Sequence, residues 1–132
     1  MRSVLNWNSG GNLSSGGNRN DYLRYGSFSS AENATKIVIP ADGVLYNFVA
    51  QLVPSVGSGN AAPGAGVIRT FIIRKNGVDT DLKIDITGTH SNGESNAEVA
   101  VKKFDQISLV HHSDNASSAN IFGLASVILA HK

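Results

Sequence analysis

Phe71-Ile72-Ile73-Arg74-Lys75-Asn76-Gly77-Val78-Asp79-Thr80-Asp81-Leu82-Lys83-Ile84-Asp85-Ile86-Thr87 reads as two strands joined by a tight turn. Leu82, Ile84 and Ile86 alternate with Asp81, Lys83, Asp85 and Thr87. That period of two sets one row of side chains against a core and the other in water. Asn76-Gly77 falls at the reversal, and both residue types tolerate the positive φ that a type I′ turn demands. The clearest local signal in the chain is therefore an antiparallel hairpin.

The flanking sequence continues the pattern in both directions. Before the hairpin, Val67 to Lys75 predicts its first strand, preceded by a Gly/Ala/Pro/Ser loop from Gly57 to Gly66. Val44 to Val53 predicts a long strand. Leu45, Val49 and Val53 share one face with Asn47 and Gln51, and the apolar Val44, Tyr46, Phe48, Ala50 and Leu52 form the other. Lys36 to Ile39 is a short strand ended by Pro40, which has no N–H for a ladder. Asp42-Gly43 supplies a turn. After the hairpin, Gly88 to Gly93 predicts a loop with a second Asn-Gly pair, Asn92-Gly93. Ala97, Val99 and Val101 then alternate with Glu98 and Lys102, and Gln106 to His112 follows as a strand.

Beyond a polar loop from Ser113 to Asn120, Ile121 to His131 closes the chain. Ile121, Ala125, Val127 and Leu129 lie on one face, with Phe122, Leu124, Ile128 and Ala130 on the other. One face of an antiparallel sheet usually meets water, so a strand apolar on both faces is either sandwiched deep or covered by another subunit. No segment carries the i, i+3, i+4, i+7 spacing of a helix over three turns. Strands recurring at spacings of about ten residues predict an all-β fold, an antiparallel jelly-roll sandwich of about eight strands.

Composition agrees with one such domain. The chain has 132 residues and a formal charge of +1, from 11 Lys+Arg against 10 Asp+Glu. That balance raises no positive field to gather nucleic acid, so no nucleic-acid partner is expected. Charged residues make up only 16%, whereas Gly, Ser and Asn sum to 43 residues, which excludes a helical bundle or coiled coil. With no cysteine, disulfide frameworks, thiolate metal sites and Cys nucleophiles are excluded. No run of 18 apolar residues occurs, so no helical membrane span is expected. Met1 to Asn8 lacks the apolar core of a signal peptide; export by lysis, or by a route this sequence does not encode, is the expectation.

Residues 1–34 differ from the rest. Ser9-Gly10-Gly11-Asn12-Leu13-Ser14 is nearly repeated by Ser15-Gly16-Gly17-Asn18-Arg19-Asn20, and neither copy can bury a core of its own. Large side chains flank the repeat: Leu5 and Trp7 before it, Tyr22, Tyr25 and Phe28 after it. These either complete the domain's own sheet or anchor an arm that docks on a neighbouring chain. The division adopted is an extended N-terminal arm over residues 1–34 and a jelly-roll domain over residues 35–132. Arg2, Leu5, Trp7, Arg19, Tyr22, Arg24 and Tyr25 are the docking candidates, since Arg and aromatics dominate interface hot spots.

Residues with chemical potential are few. His111 and His112 are adjacent on a strand, so their rings face opposite ways and cannot grip one metal; a site would need His131 or His90, with a carboxylate such as Asp114. Strand-edge or pore-lining histidines are the simpler reading. Asp79, Asp81 and Asp85 share one strand face and could gather calcium, although Lys83 between them reads as a solvated row. No Gly-x-Ser-x-Gly elbow occurs. Gly57-Ser58-Gly59-Asn60 lacks the Lys-Ser/Thr of a phosphate loop. Glycosylation sequons at Asn12, Asn33 and Asn115 arise by chance in so Asn- and Ser-rich a chain. No catalytic residue, cofactor or metal is assigned.

Three segments resemble small jelly rolls of the TNF/C1q-like type found in phage and other viral structural proteins. Ile39-Pro40-Ala41-Asp42-Gly43-Val44-Leu45 is similar to the lead-in of a long strand in that group. Phe71 to Thr80 is similar to its strand–Asn-Gly–x-x-Thr hairpin. Val99 to Leu109 is similar to its apolar-x-apolar-x-x-Gly-Asp-x-apolar-x-apolar segment, with Phe104 in place of the glycine. The resemblance covers about 90 residues and leaves out most of the first 34. It implies a homotrimer that decorates or cements a capsid, bound to the major capsid protein or another virion protein. Phe122, Leu124, Ile128 and Ala130 would then form the trimer interface. The expected location is the virion surface, after synthesis in the host cytoplasm, and no enzymatic activity is expected. The alternative is a receptor- or glycan-binding head of a tail fibre, with loops 54–66, 88–96 and 113–120 as its site. The chain shows no collagen-like or heptad stalk before the fold, which favours decoration over a fibre head. A hydrolase drawing Ser and His from different strands is a third, weaker reading.

Overall fold

The computed structural model describes residues 1–15, 19–113 and 120–131. Among these the strands are β1 (Arg2–Asn8), β2 (Arg19–Leu23), β3 (Phe28–Ser29), β4 (Ile37–Val38), β5 (Gly43–Pro54), β6 (Gly64–Lys75), β7 (Val78–Gly88), β8 (Asn92–Ser95), β9 (Val99–Val101), β10 (Gln106–Ser113) and β11 (Ile121–His131). A single 3₁₀ turn, Glu32–Ala34, interrupts them. No described helix is long and apolar enough to cross a membrane.

The strands form two antiparallel sheets. One runs β1-β11-β5-β8, with β9 continuing along the same edge of β5; the other runs β3-β2-β10-β6-β7, with β4 beside β10. The sheets enclose one apolar core that includes Phe48, Leu52, Phe71, Ile73, Ile84, Leu109 and Val127. The fold is thus the all-β, jelly-roll-like sandwich that the strand pattern predicts. The accessible surface is 6730 Å², close to the roughly 6,600 Å² expected for one folded domain of this mass.

The hairpin at the centre of the sequence forms as read. Asn76 has φ 53° and Gly77 φ 79°, and Lys75 pairs with Val78 across the turn. The turn is also tied down from outside. Asn76 Nδ2 donates to Asp105 Oδ1 at 3.0 Å, and its Oδ1 accepts from the Gln106 N–H at 2.9 Å. On β7, Leu82, Ile84 and Ile86 are buried while Asp81, Lys83 and Asp85 are exposed.

Strand β5 departs from simple alternation. Ser126 pairs with Val49 but Ile128 pairs with Tyr46, so Asn47 and Phe48 together oppose the single residue Val127. Asn47 takes a positive φ of 53° at this bulge. The extra residue flips the alternation, so Leu45, Phe48, Ala50 and Leu52 all bury while Val44, Tyr46, Val49, Gln51 and Val53 are left on the opposite, less buried face. The predicted faces of this strand therefore change halfway along it.

The predicted loop from Gly88 to Gly93 is shorter than expected, because Asn92–Ser95 pairs with β5. Gly93 does not make a turn there. A Cβ on it would lie 2.5 Å from Ile84 Cγ2 of the opposite sheet, so glycine lets the two layers approach.

Residues 1–34 do not stand apart as an arm. β1 pairs with β11 along its whole length, from Arg2 opposite Ala130 to Asn8 opposite Leu124. β2 pairs with β10, from Tyr22 opposite Val110 to Arg19 opposite Ser113. Trp7, Leu13 and Leu23 are core residues. The boundary between residues 34 and 35 thus divides one hydrogen-bonded structure. Leu5 and Trp7, two residues apart, are an inward strand row, and burying them offsets the ordering of the Gly/Ser/Asn stretch beside them. The second copy of the near-repeat falls partly at residues 16–18, outside the described residues.

Candidate functional site

The outer face of the β1-β11-β5-β8 sheet carries the residues expected to mediate assembly. Directly opposed residues of neighbouring strands share a face, so the pairing register defines cross-sheet rows. One outward row is Val4, Ile128 and Tyr46, flanked by Arg2, Ala130 and Val44. Val4 is 58% exposed. Arg2 lies with its guanidinium carbon 6.0 Å from the centre of the Tyr46 ring. The next rows are Asn6, Ser126, Val49 and Glu94, then Asn8, Leu124, Gln51 and Asn92, and last Phe122 beside Val53.

This arrangement sorts the four residues predicted for a trimer interface. Ile128 and Ala130 belong to the apolar end with Val4, Tyr46 and Val44. Leu124 lies between amide side chains in the middle, and Phe122 is at the far end. The outward row of β11 is apolar except at Ser126, which the sequence reading left out, and in the middle of the sheet its cross-strand neighbours are Asn6, Asn8 and Gln51, with Val49 the one apolar residue among them.

The middle rows line a groove of about 740 Å³. Its walls are Asn6 and Asn8 from β1 and Asn92 and Glu94 from β8, and its floor includes Leu124 and Val49, with Trp7 bordering it from the core side. Tyr25, 82% exposed, closes the β1 side. The loop holding Tyr25 is fixed to β1: the Asn8 N–H donates to Arg24 O at 2.9 Å and the Gly26 N–H to Asn8 O at 2.8 Å. Asn8 Oδ1 accepts from the Gly10 N–H, and Gln51 Nε2 donates to Asn60 Oδ1 at 2.9 Å. Among the described residues, the amides of Asn6 and Asn92 and the carboxylate of Glu94 have no hydrogen-bond partner, nor has the buried Trp7 Nε1.

A second polar cluster is sealed inside the sandwich. His111 Nδ1 lies 3.1 Å from Asp21 Oδ2 and His111 Nε2 lies 3.3 Å from Arg69 Nη1. All three side chains are buried, Arg69 completely. Ser14 donates to Asp21 from both its N–H, at 2.9 Å, and its Oγ, at 2.7 Å. Guanidinium only donates, so a neutral His111 accepts at Nε2 and donates from Nδ1. Burial pushes the His111 pKa below its ordinary value, against the opposing pull of the Asp21 bond. Burial would raise Asp21, but the bonds from His111 and Ser14 outweigh it and hold the carboxyl below its usual range. Burial likewise lowers Arg69.

His111 and His112 do face opposite ways, but His111 is a core residue rather than a strand-edge or pore-lining one. His112 Nδ1 lies 2.7 Å from Asn20 Oδ1 on the outside. His131 Nε2 approaches Ser3 Oγ at 3.4 Å. Among the described residues no three His, Asp or Glu side chains gather to hold a metal. Of the three acids on β7, Asp79 pairs with Arg74 and Asp85 accepts from Thr70 Oγ1 at 2.7 Å, so two of them are bonded within their own sheet. Asp114, the sequon at Asn115 and most of the loop 113–120 lie outside the described residues.

Of the docking candidates, Trp7 is 2% exposed and Leu5 packs against the core, so neither is available to a partner. Tyr22 is half-buried, and Arg2, Arg19, Arg24 and Tyr25 remain on the surface. No local stretch of sequence announces the Asp21–His111–Arg69 cluster. Its only sequence trace is Arg69 on the inward row of Val67, Phe71 and Ile73, and its partners are remote in sequence. No protein-family model matches the chain, and no curated protein matches it either.

Proposed function

We propose that the protein is a non-enzymatic structural protein of a virion, a homotrimeric decoration or cement protein that stabilises a capsid shell. The observation that carries this reading is the outward apolar row Val4–Ile128–Tyr46, with Ala130 and Val44 beside it. No layer of the described chain covers it, and apolar sheet faces of this kind mark contact with another subunit. The likeness of three segments to viral jelly rolls supports the location. The sealing of His111 and Asp21 away from solvent supports a non-catalytic role, since their hydrogen bonds are consumed inside the sandwich. Capsid contact falls to what is exposed of the N-terminal segment, Arg19 and Arg24 foremost.

The test is oligomeric state. Light scattering at micromolar concentration should give a trimer, and Ile128→Asp should give a folded monomer, because a charge left unpaired in a dry interface is strongly destabilising. A wild-type monomer would sink the reading. The shell assignment is tested by adding the protein to capsids lacking it and weighing what co-sediments; no co-sedimentation refutes it.

A further inference from the structure

We infer that the groove across β1, β11, β5 and β8 is a binding site for a neutral saccharide. Asn6, Asn8, Gln51 and Asn92 present side-chain amides on two adjacent cross-sheet rows, with Ser126 between them and Glu94 at one end. An amide offers an acceptor and two donors, the pairing that vicinal hydroxyls satisfy from both sides. The side chains of Asn6, Asn92 and Glu94 have no hydrogen-bond partner among the described residues, so their capacity is open to a ligand. Even after the bonds to Gly10 and Asn60, Asn8 keeps its Nδ2 donors and Gln51 its Oε1 acceptor.

The remaining lining selects against other ligands. None of the lining residues is Lys, Arg or His, and Glu94 is the only charged one. A phosphate, sulfate or nucleic-acid strand would meet a carboxylate and no cation. A lipid tail would leave the amides unpaired, at a cost in affinity. An extended peptide binds by adding to an open sheet edge, whereas this groove is centred on β11 and β5, the two strands of the sheet that are paired on both sides. Tyr25 supplies what a sugar ring needs beside its hydroxyls, an exposed amphipathic aromatic at the rim. Leu124 and Val49 give the floor its apolar patches. The volume of about 740 Å³ falls within the range of small-ligand sites.

The site differs in place from the loop-borne glycan site that the sequence suggested, since its centre is the sheet itself. It does not rest on the trimer proposal, because Val4, Ile128 and Tyr46 lie outside the groove lining.

The experiment is an array of neutral, sialylated and sulfated oligosaccharides probed with the labelled full chain. Hits are then titrated in solution through the fluorescence of Trp7, the one tryptophan, which borders the groove from the core side. Retention on neutral oligosaccharides is expected, weakened at least tenfold by Asn92→Ala and by Tyr25→Ala. Both side chains are exposed, so the melting temperature should not move. A blank array overturns the inference. So does retention confined to sialylated or sulfated probes, or retention that survives both variants. A blank array with an extended peptide captured, and lost in the same variants, would assign the groove to peptide instead.

Discussion

His111 of β10 and Asp21 of β2, ninety residues apart in the chain, meet at 3.1 Å inside the sandwich. Their contact is one of the ties that hold the N-terminal segment to the body of the fold, and it makes stability depend on pH. His111 titrates below its ordinary value when folded. As pH falls through about 6.5, the unfolded chain takes up a proton that the native chain resists. Asp21, also lowered, adds a loss of the same sign as pH falls through about 4. Stability should therefore be flat above about pH 7 and decline in acid, by up to about 1.4 kcal/mol per pH unit for one proton. Denaturant melts between pH 5 and 8 check this. His111→Gln should flatten the upper part of the decline; an unchanged slope in that variant would show that other groups cause it.

Removal of residues 1–20 should unfold the protein rather than free a docking arm. It takes away β1, Trp7 and Leu13 and exposes one edge of β11. Trp7→Ala alone should cost about 3–5 kcal/mol, the usual range for emptying a buried aromatic site. Near-ultraviolet circular dichroism and a thermal scan of the truncated chain decide the matter. A soluble truncation that melts cooperatively would contradict the pairing described here.

Phe104 stands at φ 75° and is 73% exposed. The left-handed conformation costs a non-glycine residue roughly 1–2 kcal/mol, and little of the ring is buried to offset it. Phe104→Gly should therefore stabilise the protein by about 1 kcal/mol, once the greater entropy of an unfolded glycine is allowed for. A lower melting temperature in that variant would mean that the ring, with Lys103 Nζ 5.2 Å above it, contributes more packing than its exposure suggests.

Gly77→Val should destabilise by about 1–2 kcal/mol, since Gly77 sits at φ 79° and a β-branched residue is poorly tolerated there. Nothing lies within 4 Å of a Cβ built on Gly77, so the loss reports backbone strain rather than a clash. Gly77→Asn, which tolerates positive φ better, should recover part of it. Equal melting points for all three proteins would remove the turn assignment's energetic basis.

Features that depend on near neighbours are legible in the amino-acid order alone. The Asn76-Gly77 turn, the alternation of Leu82, Ile84 and Ile86, and the two faces of Ile121 to His131 are legible because hairpin geometry and side-chain alternation act over two to ten residues. The all-β class follows from those signals repeated along the chain. The remaining features arise from contacts between distant strands. The bulge at Asn47 moved Phe48 onto the inward row of Leu45, and nothing local marks it, because it answers the register of β11 opposite. The N-terminal segment reads as an arm from its Gly, Ser and Asn content; it is sheet because β11 and β10 each offer an edge to it. Arg69 on an inward row is tolerated because polar groups arrive from elsewhere in the chain to share its burden, among them His111, the Ser14 carbonyl and the nearby charge of Asp21. The groove likewise belongs to no segment. Asn6, Gln51, Asn92 and Leu124 are strangers in sequence, made neighbours by the pairing of four strands, and pairing between distant strands is set by the packing of the whole core rather than by any local stretch of chain.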